Sequence, residues 1–235
     1  MPVKMVSNYL KTSSHRFYGA VVTLIMLLLY EILIIWENTS NVVIRNAPEA
    51  WFRTLLNFLG ISHYYISFIM VTAAILAVPL FYKPGLAVRK NVFLLLILES
   101  IVWGAISGLL IQAIIAQLFL VTGSISGSII GDLGLAIGAG LFEELFFRVI
   151  LTSALIWICH KLIPLKWLSI VVAVILASFL FSLAHYVGSA GDAFEIYSFL
   201  FRFLAGLWFT TLYSVRGFAV VCLTHAFYDI FILIF

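Results

Sequence analysis

Three groups of polar residues sit inside otherwise hydrophobic sequence, where acid–base chemistry is possible. The first is Glu143, Glu144 and Arg148, in the run Leu141-Phe142-Glu143-Glu144-Leu145-Phe146-Phe147-Arg148. Glu144 and Arg148 are four apart and can meet on one helical face. Glu143 points about 100° away and has no local basic partner. A carboxylate left over in a dry interior suits a general acid or base. The same cluster also suits a structural ion pair beside a protonated spare Glu. The second group is His185, four residues after Phe181. A lone His at a helix end also serves as a plain hydrogen-bonding residue. The third is His225 with Asp229, again four apart. That carboxylate can accept the ring proton and fix the tautomer, or the pair can simply hold two helices together. Collected in one cavity, these six side chains could hold and activate water within lipid. That chemistry is hydrolysis.

The elements that must carry them are membrane spans. Seven apolar stretches are long and nearly free of charge: Phe17 to Trp36, Tyr64 to Tyr82, Val92 to Val121, Ile129 to Cys159, Leu168 to Val187, Ile196 to Tyr213, and Phe218 to Phe235. Each approaches or exceeds the length of a bilayer crossing, about 20 residues. The third and fourth are about 30 residues each and must be tilted, broken or extended beyond the hydrocarbon. Between the first two, Trp51, Leu55 and Leu59 share one helical face and Glu49, Arg53 and Asn57 the other. This is the pattern of a helix in the membrane interface, or of one packed on the bundle. No cleavage pattern follows the first span, which reads as an anchor.

Composition agrees. Of 235 residues, 64% are hydrophobic and 10% charged, against about a quarter charged in soluble domains. This excludes a water-soluble enzyme, a disordered chain and a nucleic-acid binder; the partner is the lipid bilayer. Cys159 and Cys222 are too few for a disulfide framework or a four-cysteine zinc site. The fold expected is all-α: a polytopic bundle of about seven or eight spans around a polar cavity. It forms one membrane domain over 1–235, with the motifs in about 130–232. Basic residues stay cytoplasmic. In a seven-span arrangement Lys4, Lys11, Arg16, Lys83, Arg89, Lys90, Lys161, Lys166 and Arg216 share one side, against Arg45 and Arg53 on the other. The amino terminus should therefore be cytoplasmic and the carboxyl terminus outside.

In their order, Glu-Glu-x-x-x-Arg, Phe-x-x-x-His and His-x-x-x-Asn/Asp resemble the motifs of the CPBP family of intramembrane proteases. That family includes CAAX prenyl endopeptidases and bacteriocin-processing or immunity proteins. The resemblance rests on Glu143, Glu144, Arg148, Phe181, His185, His225 and Asp229, and covers about residues 130 to 232. It implies an endopeptidase that cuts a membrane-anchored or lipidated protein near its carboxyl-terminal end. Glu143 and His185 would activate the water, His225 and Asp229 would hold the scissile carbonyl and its oxyanion, and Arg148 with Glu144 would brace the first motif.

The chain departs from the prenyl-endopeptidase pattern at Asp229, where Asn would stand. An ionised Asp has no proton to give an oxyanion. Either it is protonated, or it orients His225 and that ring donates alone. A further alternative to the metal-free, glutamic-type mechanism is a zinc ion on Glu143, His185 and His225. Other intramembrane chemistries fit less well: His-Glu-x-x-His is absent, Ile129-Ile130-Gly131-Asp132 lacks the presenilin-type Gly-x-Gly-Asp, and Ala105-Ile106-Ser107-Gly108 lacks the first rhomboid Gly. Rival classes are a non-catalytic membrane partner or immunity-type protein, and a transporter.

Outside the motifs, Gly104 and Gly108, Gly127 and Gly131, and Gly134 and Gly138 are each four apart, the spacing of close helix contacts. Gly138 and Gly140 precede Glu143 and would admit a neighbouring helix or a substrate backbone. Glu31, Glu99 and Arg202 also lie inside spans; Arg202 is expected to pair with Glu31 or meet a substrate carboxylate. Cys222 lies one turn before His225.

Overall fold

The computed structural model describes residues 2–38, 45–114, 128–187 and 191–234. The end of the third apolar stretch (115–121), Gly127 and Phe235 lie outside the described residues. The described residues form helices and connections, without strands. In chain order these are α1 (Pro2–Ser13), α2 (Arg16–Asn38), α3 (Ala47–Phe58), α4 (His63–Leu80), α5 (Lys90–Ile114), α6 (Ile129–Gly138), a π-helical segment (Ala139–Thr152), α7 (Ser153–Leu162), α8 (Lys166–Ala184), α9 (Ile196–Arg216) and α10 (Phe218–Ile234). Helices α2, α5, α8 and α9 are long and apolar enough to cross a bilayer, while α4 and α10 are apolar but shorter. This is the build of an integral membrane protein.

The fourth apolar stretch meets its excess length by changing helix type. Ser128 caps α6, its Oγ accepting from the Gly131 amide at 3.0 Å and donating to Glu37 Oε2 at 2.6 Å. That second bond ties the end of α2 to the start of α6. From Ala139 the chain runs as a π-helix, in which each amide reaches the carbonyl five residues back. The Thr152 hydroxyl keeps that register by donating to the Phe147 carbonyl at 2.7 Å.

The glycines before Glu143 serve packing. A Cβ on Gly140 would lie 2.5 Å from the Cys222 carbonyl oxygen and 2.8 Å from the Ala226 amide, so only glycine lets α10 this close. On Gly138 it would lie 2.5 Å from the Tyr30 ring. Gly104 meets Phe227 and Tyr228 of α10, but Gly108 faces open space. Helix α10 thus runs through the centre, with Val220, Cys222 and Ala226 packed among Tyr18, Met26, Leu96 and Leu141.

Helix α3 lies opposite to the simple interfacial orientation. The charged part of its polar stripe faces the protein: Glu49 and Arg53 are buried and Asn57 is exposed, while Phe58 is 86% exposed and Leu55 and Leu59 also point outward. Arg53 bonds Glu49 at 2.5 Å, Glu31 at 3.0 Å and Ser67 at 2.7 Å. Tyr30 and Arg45 also bond Glu49. Two buried carboxylates on α2 and α3 therefore draw the charged face inward and leave the apolar face for lipid. The pairing expected between Glu31 and Arg202 is corrected here: Glu31 bonds Arg53, and Arg202 bonds Asp192 at 2.5 Å.

At the opposite end, the basic tail includes a helix, α1, that periodicity did not reveal. Arg216 donates to both Glu99 oxygens (2.5 and 2.7 Å) and to Ser14 and Ser13 of the first turn region. Tyr9 donates to Glu99 Oε2 at 2.5 Å. Burial, reinforced by that hydrogen bond, pushes the Tyr9 phenol above its ordinary value and keeps it a donor.

Candidate active site

The π-helical segment points its adjacent glutamates in different directions. Glu143 lines a cavity of about 400 Å³; Glu144, fully buried, turns toward α10. Its Oε1 meets His225 Nδ1 at 2.6 Å, and its Oε2 lies 3.1 Å from Arg148 Nε. The Arg148 contact is an ion pair without hydrogen-bond alignment. The guanidinium plane is held instead by aromatic faces, 4.3 Å from the Phe181 ring centroid and 5.8 Å from that of Phe209. Phe209 in turn stacks on His225, with centroids 4.6 Å apart and 15° between planes.

Two carboxylates flank the His225 ring, one on each nitrogen. The carboxylate that holds the His225 ring is Glu144; Asp229 Oδ2 lies 3.7 Å from the other nitrogen, Nε2. An ionised carboxylate only accepts, so the proton of the short pair sits on Nδ1. Nε2 is left to face Asp229 and the cavity, which His225 and Asp229 both line.

His185 follows the last turn of α8. Its Nδ1 lies 2.9 Å from the Phe181 carbonyl oxygen, which can only accept, so Nδ1 carries a proton there. In the neutral ring Nε2 is then the basic nitrogen. Phe181 packs edge-on against this ring, with centroids 5.0 Å apart. The spacing of the second motif therefore has a mechanical meaning: one turn of α8 provides both the carbonyl that sets the tautomer and the ring beneath Arg148.

Glu143, His185, His225 and Asp229 thus come from three separate helical elements to one cavity, with Glu144 and Arg148 behind them. Arg202 and Arg45 also line it, each already ion-paired. Cys222 is buried against Gly140 and does not line it. Sequence spacing could not identify three further residues of the cavity wall, Phe209, Tyr228 and Asp132, because none of them belongs to the three motifs. Among the described residues no three His, Cys, Asp or Glu side chains are grouped to hold a metal ion.

No curated protein and no solved structure matches the chain. The family model described as type II CAAX prenyl endopeptidase, Rce1-like, matches residues 126–231, a stretch that contains every residue of the three motifs. Over those residues the chain is similar to that Rce1-like type, in keeping with the CPBP motifs it resembles.

Proposed function

We infer that this protein is an intramembrane endopeptidase that hydrolyses a peptide bond near the carboxyl-terminal end of a membrane-anchored or lipidated protein. The observation that carries this reading is the convergence of Glu143, His185, His225 and Asp229 on one cavity. Each is costly to hold within a membrane. The family match supports a CAAX-type protease and a prenylated or otherwise anchored substrate.

In this reading Glu143 and His185 Nε2 take a proton from water, and the hydroxide oxygen bonds to the scissile carbonyl carbon. In this reading His225 is the imidazolium, flanked by Glu144 and Asp229, and its Nε2–H faces the developing oxyanion. As the carbonyl re-forms, the carbon–nitrogen bond breaks and the held proton goes to the leaving amine. Arg148 and Glu144 keep the His225 ring in place. No step requires a metal.

Helices α8 and α10 end at the cavity, while Lys161, Lys166 and Arg216 lie at the opposite ends of the same bundle. With the basic end cytoplasmic, water and substrate enter from the outer side. The test compares the carboxyl termini of membrane proteins, by mass spectrometry, in cells carrying wild type or Glu143→Gln. A small set of tails retained only in the variant is the expected result. Identical termini, with the wild-type phenotype kept, would instead favour a non-catalytic membrane partner.

A further inference from the structure

An oxyanion in a dry site needs convergent donors, and this chain is one short. With Nδ1 of the His225 imidazolium committed to Glu144, a single ring N–H remains, on Nε2. Asp229, when ionised, has no proton to offer. The neighbouring residue on α10 does. Tyr228 is 5% exposed and lines the same cavity as His225 and Asp229. Its ring centroid is 6.4 Å from that of His225, and it stands edge-on to Phe209 at 5.8 Å. Three buried side-chain hydroxyls among the described residues lack a hydrogen-bond partner: those of Tyr186, Thr224 and Tyr228. Of these only Tyr228 belongs to the cavity wall. Burying a hydroxyl without a partner is unfavourable, and a phenol on the cavity wall beside His225 would gain its partner when substrate arrives.

We propose that the Tyr228 hydroxyl is a second hydrogen-bond donor to the oxyanion, replacing the donor that an ionised Asp229 cannot be. The phenol keeps its proton throughout; it only donates a hydrogen bond that is strongest at the tetrahedral stage. This rests on the endopeptidase reading above. It also explains how an Asp in the third motif is compatible with turnover.

The test uses the full chain in detergent and, as probe, a synthetic peptide of a tail that Glu143→Gln cells retain. Tyr228→Phe keeps the ring and its packing and removes only the hydroxyl. The expected result is a kcat lower by about 10²–10³-fold, with KM and Tm unchanged. Adding Asp229→Asn to that variant supplies an amide donor and should restore at least about tenfold of the loss. If wild type cuts and Tyr228→Phe cuts equally fast, the role of Tyr228 is overturned while the endopeptidase reading stands. A loss that comes with a raised KM or lowered Tm, or that Asp229→Asn leaves unrestored, overturns it as well. If no tail distinguishes wild type from Glu143→Gln, the endopeptidase reading fails and the role of Tyr228 with it.

Discussion

Glu144 and His225 lie 81 residues apart in the chain, and a 2.6 Å contact joins carboxylate to imidazole in the centre of the bundle. The other oxygen of the same carboxylate faces Arg148. One buried glutamate therefore fixes both the only buried arginine of the first motif and the histidine of the third. Its neighbour Glu143 is left facing the cavity.

The two glutamates should accordingly separate on substitution. Glu143→Gln is expected to abolish most turnover, by about 10²–10⁴-fold, with an unchanged Tm. Glu144→Gln leaves the Arg148 charge buried without a counter-charge. It should cost about 3–5 kcal/mol of stability as well as activity. Thermal unfolding in detergent, run beside the peptide assay, distinguishes them; equal Tm losses would contradict the division of roles.

Arg148→Met in the Glu144→Gln background removes the stranded charge. Much of the lost stability should return, because an apolar side chain fits between Phe181 and Phe209. Activity should stay low, since His225 has lost its anionic anchor. A double variant as unstable as Glu144→Gln alone would show that Arg148 is not held by that charge.

Gly140→Ala tests the approach of α10. The added Cβ would lie 2.5 Å from the Cys222 oxygen and 2.8 Å from the Ala226 amide, so backbone must move on one side. A loss of about 1–3 kcal/mol and a weaker Glu144–His225 pair are expected, read as lower Tm and lower kcat. Gly108→Ala, with open space at the same distance, serves as control and should change neither.

Arg53→Leu should strand Glu31 between α2, α3 and α4 and leave Glu49 to Arg45 and Tyr30 alone. The expected cost is again about 3–5 kcal/mol, with α3 freed from the bundle and cut sooner in limited proteolysis. Phe58→Ser, on the outward face of the same helix, should leave proteolysis of the detergent-solubilised protein unchanged.

Two further outcomes test the chemistry and the orientation. A strong chelator of divalent metals should leave peptide hydrolysis unchanged; loss restored by zinc would require metal chemistry on rearranged ligands. A reporter joined after Phe235 should prove to lie outside, and a cytoplasmic reporter would reverse the proposed side of substrate entry.

Much of the site was legible in the sequence because charge inside an apolar run is costly in a membrane. Glu143, Glu144, Arg148, His185, His225 and Asp229 stand out against their surroundings without any structure. Their grouping into ordered motifs pointed to the family. Four-residue spacing also anticipated the contact of Glu144 with Arg148, since the two remain neighbours even on a π-helix.

What the spacing could not supply was the partner across space. Read along one helix, Asp229 was the natural carboxylate for His225; in the folded protein Glu144 reaches closer from another segment, through the gap that Gly140 leaves. Local periodicity likewise marked α3 as amphipathic but could not say which face turns inward. Buried carboxylates on other helices decided that, drawing Arg53 toward Glu31. Helix α1 escaped notice because Tyr9 and Ser13 meet Glu99 and Arg216 only after the bundle forms. Hydrophobicity and local spacing are properties of the chain, so the sequence alone determined the membrane setting, the helical class and the candidate site residues. Pairing between distant charges and the facing of helices depend on which surfaces meet, and only the tertiary structure decided them.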